Sequence, residues 1–525
     1  MAGLADINRA FNLVPKRAEA RATEQLRETF VDSGIAAALE AVDHQVLYGR
    51  RGTGKTHALR YLETSVTRRG GVTVYLDLRT IGSPEGLFAG DQVPPIERTA
   101  RLLVDLLNQV HDALLSAALQ DDSLLTDSSF VTRLDSLLAA ITTLRVTGNI
   151  EIVDEGEGKS SKKSHSSAAL RLSASPGVEV GGSADEGGEE RDLRRETRQG
   201  TEHISLNFSD VAKALRELAD SLVAKRVWLI LDEWSSVPAD LQPYLGAFLV
   251  RCVLPLRAFT VKIAAIEQQT RFRATRPDGS IIGLELGADV AANVDLDEFM
   301  VFEQNQLRAR GFFRGLLFKH LTAGAEPADS VPGLTTEQDL IRLGFTDIRA
   351  FDELVRAAEG VPRDAINIAA KAALRASDRR ISVPDVRAAA RTWFQADKEA
   401  ALRSRDDALR LLNWIIDKVI KEKRARGFLV NQKASPAPLL MALFDARVLH
   451  LVRRGYSAQD EPGERYDVYV IDYGAYVDLI HTQYAPQGNL PSGDEADGGY
   501  VDVPTQDLRA IRRAVLDLDA FTTSE

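Results

Sequence analysis

Apolar positions recur along the chain in two rhythms. Short apolar runs, HQVLY before Gly49, VTVYLDLR from Val72, VWLILDEW from Val227 and FTVKIAAIEQ from Phe259, predict buried strands. Between them, stretches with apolar residues every third or fourth position predict helices: HALRYLETSVTRR, IERTARLLVDLLNQVHDALLSAALQ, SDVAKALRELADSLVAK and LQPYLGAFLVRCVLP. Strands that alternate with helices imply a parallel α/β sheet. After Phe299 the pattern is mostly helical to about residue 400 and includes EGVPRDAINIAAKAALRA and ISVPDVRAAARTWF. Residues 405–484 read as a helix, a short helix and two strands joined by YSAQDEPGE, the outline of a wing.

The pattern gives an organisation of five parts. Residues 1–40 form a helical arm, 41–310 an α/β core, 311–400 a helical region, 401–485 a compact module of helices and two strands, and 486–525 a linker with a last amphipathic helix at DLRAIRRAVLDLD. The core carries an insertion at about 97–205. Within it, residues 154–203 are rich in Gly, Ser and charge, too polar to bury much surface, and are expected to be mobile. TGNIEIV, LRLSASPGVEV and HISLNF suggest a hairpin or small sheet there.

Composition narrows the functional classes. The chain has 525 residues, 44% hydrophobic and 27% charged, as expected for several folded domains. A net charge of −11 excludes a surface basic all over, so any nucleic-acid contact is local. The runs Val227–Leu231 and Phe259–Ile266 are far shorter than the ~20 residues a bilayer crossing needs, no membrane role is expected, and the N-terminal stretch lacks a secretory pattern. Cys252 is the single cysteine, and no Cys/His cluster has zinc spacing. A cytoplasmic location is the expectation.

The chemistry concentrates in two places. Gly49-Arg50-Arg51-Gly52-Thr53-Gly54-Lys55-Thr56 fits G-x-x-x-x-G-K-S/T, between a predicted strand and a predicted helix. Glycines let such a loop fold round phosphates and aim backbone N–H groups at them. Lys55 is expected to reach the β- and γ-phosphates and the Thr56 hydroxyl to hold Mg²⁺; His57 follows in the first helical turn. Four apolar residues, Trp228–Leu231, run into Asp232 and Glu233, one carboxylate for the magnesium shell and one for the attacking water. Gln268, at the end of the next strand beside Glu267, is a candidate to orient that water. ATP and Mg²⁺ are thus the expected ligands.

GRRGTGKT, LILDEW, the polar strand end at Glu267–Gln268 and EGVPRDAINIAAKAAL together resemble the AAA+ ATPases, within them the initiator-like branch related to the origin-recognition proteins. The resemblance spans roughly residues 20–485. It implies a P-loop NTPase sheet with an α-helical lid and a C-terminal winged-helix-like domain. It further implies that Arg363 of the lid touches the γ-phosphate, and that a trans-acting arginine finger falls among Arg271, Arg273 and Arg276, between the strand ending at Gln268 and the next near Asn293–Leu296. The strand-end position that is often Asn in this family reads Glu-Gln here.

From Lys418 to Arg454 there are nine Lys/Arg and two Asp/Glu, which makes this module locally basic and a candidate for double-stranded DNA. The functional expectation is an ATP-hydrolysing switch whose nucleotide state controls homo-oligomerisation and engagement of DNA or a partner protein. The alternative is a signalling or scaffold NTPase, like the STAND proteins, that recruits an effector without touching DNA.

Overall fold

The computed structural model describes residues 2–82, 93–120, 128–141, 143–147, 150–154, 168–171, 194–198, 201–203, 207–222, 225–297, 305–323, 330–423, 425–435, 437–457, 463–480 and 514–522. Helix α1 (Ala2–Leu13) opens the chain and packs on the lid rather than standing apart. Its Ile7 and Phe11 are buried in the lid core, and Asn8 Nδ2 donates to the carbonyls of Ser377 at 2.7 Å and Arg379 at 2.8 Å. The first helix of the expected arm therefore belongs physically to the lid.

Strand β1 (Gln45–Tyr48) leads through a glycine-rich loop into helix α2 (Lys55–Arg68), and β2 (Val72–Asp77) follows. Helix α3 (Pro95–Leu119) is long and apolar enough by length and composition to cross a membrane. Its Leu102, Leu103, Leu106, Leu107, Val110 and Leu114 are nevertheless buried in the same core as β2, a sufficient physical reason for so apolar a face. Strands β3 (Val227–Asp232), β4 (Phe259–Ala265) and β5 (Ala291–Asp295) complete a five-stranded sheet in the order β5-β1-β4-β3-β2, parallel throughout. Every residue of β3 and β4 is buried because helices cover both faces, so these strands read as unbroken apolar runs. Edge strand β2 alternates between buried and half-buried instead.

Within the expected insertion the described backbone forms short antiparallel strands. Thr143–Thr147 pairs with Ala168–Arg171 and with Thr201–His203, while Ile150–Asp154 pairs with Arg194–Arg198. The Gly- and Ser-rich loops expected between 154 and 203 fall outside the described residues.

Beyond the sheet, α4 (Gln306–Thr322) and α5 (Pro362–Ala376) belong to a helical layer. The C-terminal module begins with α6 (Asp406–Ile416), then β6 (Gly427–Asn431), α7 (Pro438–Asp445), β7 (Leu449–Ser457) and β8 (Arg465–Ile471), with β7 and β8 as the antiparallel wing. One continuous apolar core joins α1, the lid and this module. Two features correct the sequence reading. β6 pairs with β8 as an additional strand, and residues 515–516 do not continue a terminal helix. They form β9 (Val515–Leu516), parallel to β6, because the unpaired edge of β6 offers backbone partners: the Leu429 N–H donates to the Ala514 carbonyl at 2.8 Å.

Candidate functional site

At the C-terminal end of the sheet, β1 hands the chain to α2 through residues 49–54. Gly52 has φ of +90°, and a Cβ there would lie 2.9 Å from the Arg363 Cβ and 3.2 Å from the Val361 Cγ1. Gly54 caps α2 in the left-handed region at φ +101°, with open space where a side chain would stand. The loop thus packs tightly against the lid at residue 52 and faces a void at residue 54.

That void is a cavity of about 330 Å³. Arg51, Gly52, Gly54, Lys55, Thr56 and His57 line it from the loop and α2, Glu233 from the end of β3, and Pro362 and Arg363 from α5. The segment after α1 contributes Lys16, Arg17, Glu19 and Arg21, and Arg79 comes from beyond β2. Seven cations against Glu19 and Glu233 give the cavity a strongly positive field inside an acidic protein.

Lys55 is buried, and its Nζ donates to the carbonyls of Gly49 at 2.7 Å and Arg50 at 3.0 Å. Burial lowers its pKa, while Glu233, Asp297 and Asp232 pull it back up. Asp232 is completely buried at the end of β3, accepting from the Tyr75 hydroxyl at 2.6 Å and from the Glu233 N–H at 2.8 Å. Glu233 sits in the left-handed region at φ 57°, an unusual state for a residue with a side chain, and turns toward the cavity. Burial, and then the charge of Asp232, raise its pKa. Arg79, fixed by Asp77 and Glu19, holds Nη1 at 3.9 Å from its carboxylate.

The remaining sequence candidates are distributed unevenly. Arg363 lines the cavity, and its backbone N–H donates to the Gly52 carbonyl at 3.2 Å. Thr53 turns its hydroxyl onto the Arg50 carbonyl at 2.9 Å. His57 is held by the Leu26 carbonyl at 2.6 Å and packs edge-on against His320, whose pKa burial pushes down to about 3. β4 lies between β1 and β3, so its end falls beside that of β3. Gln268 does not line the cavity; it stands next to Glu267, which pairs with Arg454 of the wing at 2.5 Å. Arg271, Arg273 and Arg276 are exposed on and beside a hairpin formed by Arg273–Thr275 and Ile281–Gly283. The side chain of Arg50 points away from the cavity altogether. Sequence reasoning missed the cavity wall at Lys16–Arg21, because a short cationic stretch with a single 3-10 turn at Ala18–Ala20 carries no motif. It also missed Arg79, whose neighbour Asp77 gives the only signal.

The excess of cations in 418–454 is largely neutralised within the fold. Lys418 pairs with Glu422 and Lys421 with Asp417; Lys433 pairs with Glu464, Arg426 with Glu359, Arg447 with Asp364 and Arg454 with Glu267. Helix α7, between β6 and the wing, has the sequence PLLMALFD without a single cation. Its Phe444 ring lies 4.5 Å from the Arg50 guanidinium, and its Asp445 accepts from Gln269 at 2.9 Å.

A parallel sheet with this strand order, a glycine-rich loop between β1 and α2, an acidic pair ending β3, a helical layer and a winged C-terminal module make up the architecture of a P-loop NTPase, and this architecture resembles that of the AAA+ type. Within that class the chain resembles the origin-recognition proteins: residues 13–74 match a family model described as ORC-CDC6-like. Among solved structures, Cdc6p from Pyrobaculum aerophilum aligns over 90% of this chain and 96% of its own, with 13% identity and a TM-score of 0.30. No curated protein matches the chain.

Proposed function

We propose that the protein is an ATP-binding and hydrolysing switch whose nucleotide state controls self-association and engagement of a partner. The observation that carries this reading is the cationic cavity, lined jointly by the glycine loop, Glu233 and the lid residue Arg363. Backbone N–H groups among residues 51–56 and the Lys55 ammonium hold the polyphosphate, with Arg51 and Arg363 adding charge at its end, while the Arg50 N–H is already taken by Asp297. Thr56 and Asp232 are hard oxygen donors suited to Mg²⁺, which takes most of its ligands from water and phosphate. The ion, when bound, neutralises charge on the phosphate oxygens. Glu233 is the base: its raised pKa suits a group that takes a proton from water as the oxygen attacks the γ-phosphorus. The bond from phosphorus to the bridging oxygen breaks, and ADP leaves with its electron pair. Gln268 orients the water only after its turn moves toward the cavity, and one of Arg271, Arg273 and Arg276 serves a neighbouring copy.

Two readings of the partner follow. Duplex DNA is the first, through the C-terminal module. The second is an effector protein, as in the STAND-like alternative, and it is favoured by the burial of Phe444 of α7 against the core and by the paired cations of 418–454. Particle size measured with and without ATP, in the presence of duplex DNA, tests both. The switch predicts a larger particle with ATP, and an unchanged size contradicts it. DNA affinity that falls about 10³-fold between 50 and 200 mM salt, as for roughly six phosphate contacts, supports the first partner. An absence of binding at low salt supports the second.

A further inference from the structure

Arg50 belongs to the glycine loop but sends its side chain into the C-terminal module. Its backbone N–H and Nε both donate to Asp297, at 2.8 and 2.7 Å, which fixes its direction. Its Nη1 reaches the Leu449 carbonyl and the His450 Nδ1, each at 3.1 Å. An arginine only donates, so Nδ1 must accept, and the single ring proton of His450 sits on Nε2. Nε2 lies 2.9 Å from Asp472, which therefore accepts. Asp472 pairs with Lys398 at 2.6 Å, and Lys398 with Asp364 at 2.8 Å. Asp364 follows Arg363, whose N–H donates to the Gly52 carbonyl. The chain of contacts thus leaves the loop at residue 50 and returns at residue 52, through the module and the lid. Arg50, His450, Asp472, Lys398 and Asp364 are each at most 3% exposed, so a broken link leaves a buried polar group without its partner.

The same loop carbonyls connect this chain to the phosphate site. Lys55 donates to the Arg50 carbonyl, and polyphosphate competes for that ammonium. As Lys55 turns to phosphate, the Arg50 carbonyl loses one of its side-chain donors and keeps the Thr53 hydroxyl, so the seat of residue 50 is weakened rather than abolished.

We infer that docking of the C-terminal module on Arg50 and polyphosphate occupancy of the loop are linked with opposite sign, with His450 as the positioning residue. The inference rests on the nucleotide reading of the cavity. Linkage is reciprocal, so a nucleotide that loosens the module is bound more tightly when the module is already loose.

The test is titration of the full chain with a fluorescent ATP analogue and Mg²⁺, for wild type, His450→Ala and His450→Gln. His450→Ala is expected to bind at least about fivefold more tightly, the lower end of usual coupling between sites. His450→Gln is expected to match wild type, because one amide both accepts from Arg50 and donates to Asp472. Deuterium uptake at the amides of 449–457 should rise on adding nucleotide to wild type and be high already in His450→Ala. Should His450→Ala not fold, Phe444→Leu replaces it, with the same direction expected. Equal or weaker binding by a folded variant, or uptake insensitive to nucleotide, overturns the linkage. A wild type that binds no nucleotide overturns the reading of the cavity itself.

Discussion

Replacing Glu233 by Gln is expected to reduce ATP turnover by a factor on the order of 10²–10⁴, the usual contribution of a positioned general base, while nucleotide binding is retained. The amide is nearly isosteric with the carboxylate, so the left-handed turn after β3 and the Asp232 contact through the backbone N–H persist. On the proposed role of Glu233, what disappears is the acceptor for the proton of the attacking water. At about 1.36 kcal/mol per decade, the loss corresponds to roughly 3–5 kcal/mol of transition-state stabilisation. Because one carboxylate of a close pair becomes neutral, the affinity for the anionic ligand should hold or improve. Steady-state phosphate release together with equilibrium binding separates the two effects, and unchanged turnover removes Glu233 from the mechanism.

The second large effect is on stability. Asp364 is fully buried in the first turn of α5, paired with Lys398 at 2.8 Å and Arg447 at 2.9 Å, and it accepts from the Trp393 indole at 3.0 Å. Burial alone would raise its pKa, but Lys398 and Arg447 outweigh it and hold the carboxyl below the usual range. Asp364→Ala leaves two buried cations short of a counter-charge, and removal of one partner from such a group is expected to destabilise by about 3–5 kcal/mol. Urea unfolding followed by intrinsic fluorescence reads this as an earlier transition of the lid and C-terminal module. A change within about 0.5 kcal/mol, the range for an ordinary surface substitution, would show that the network does not hold these parts together.

These two residues illustrate what a sequence displays and what it hides. Glu233 was legible because a buried strand announces itself as an apolar run and the acidic pair ends it. The place of Lys55 at the cavity was legible because the fixed spacing of Gly49, Gly52 and Gly54 sets a tight loop between strand and helix. Asp364 was not, since nothing local to EGVPRDAIN shows that Lys398 and Arg447 converge on it. The basic window 418–454 misled for the same reason: the acids that pair with Arg426, Arg447 and Arg454 are Glu359, Asp364 and Glu267, all outside it. β6 escaped because GFLVN is five residues with little alternation, and β9 because two residues carry no period. Both owe their form to partners far along the chain. The direction of Arg50 is a tertiary fact, invisible beside its neighbour Arg51.

The most direct test of the account is whether polyphosphate binds through the Lys55 ammonium. Equilibrium titration with a fluorescent ATP analogue and Mg²⁺, on wild type and on folded Lys55→Ala, measures it. The account predicts saturable binding by wild type and a loss of at least about 100-fold in the variant, in keeping with removal of one partner from a buried charge pair. Equal affinity of the two proteins would contradict it.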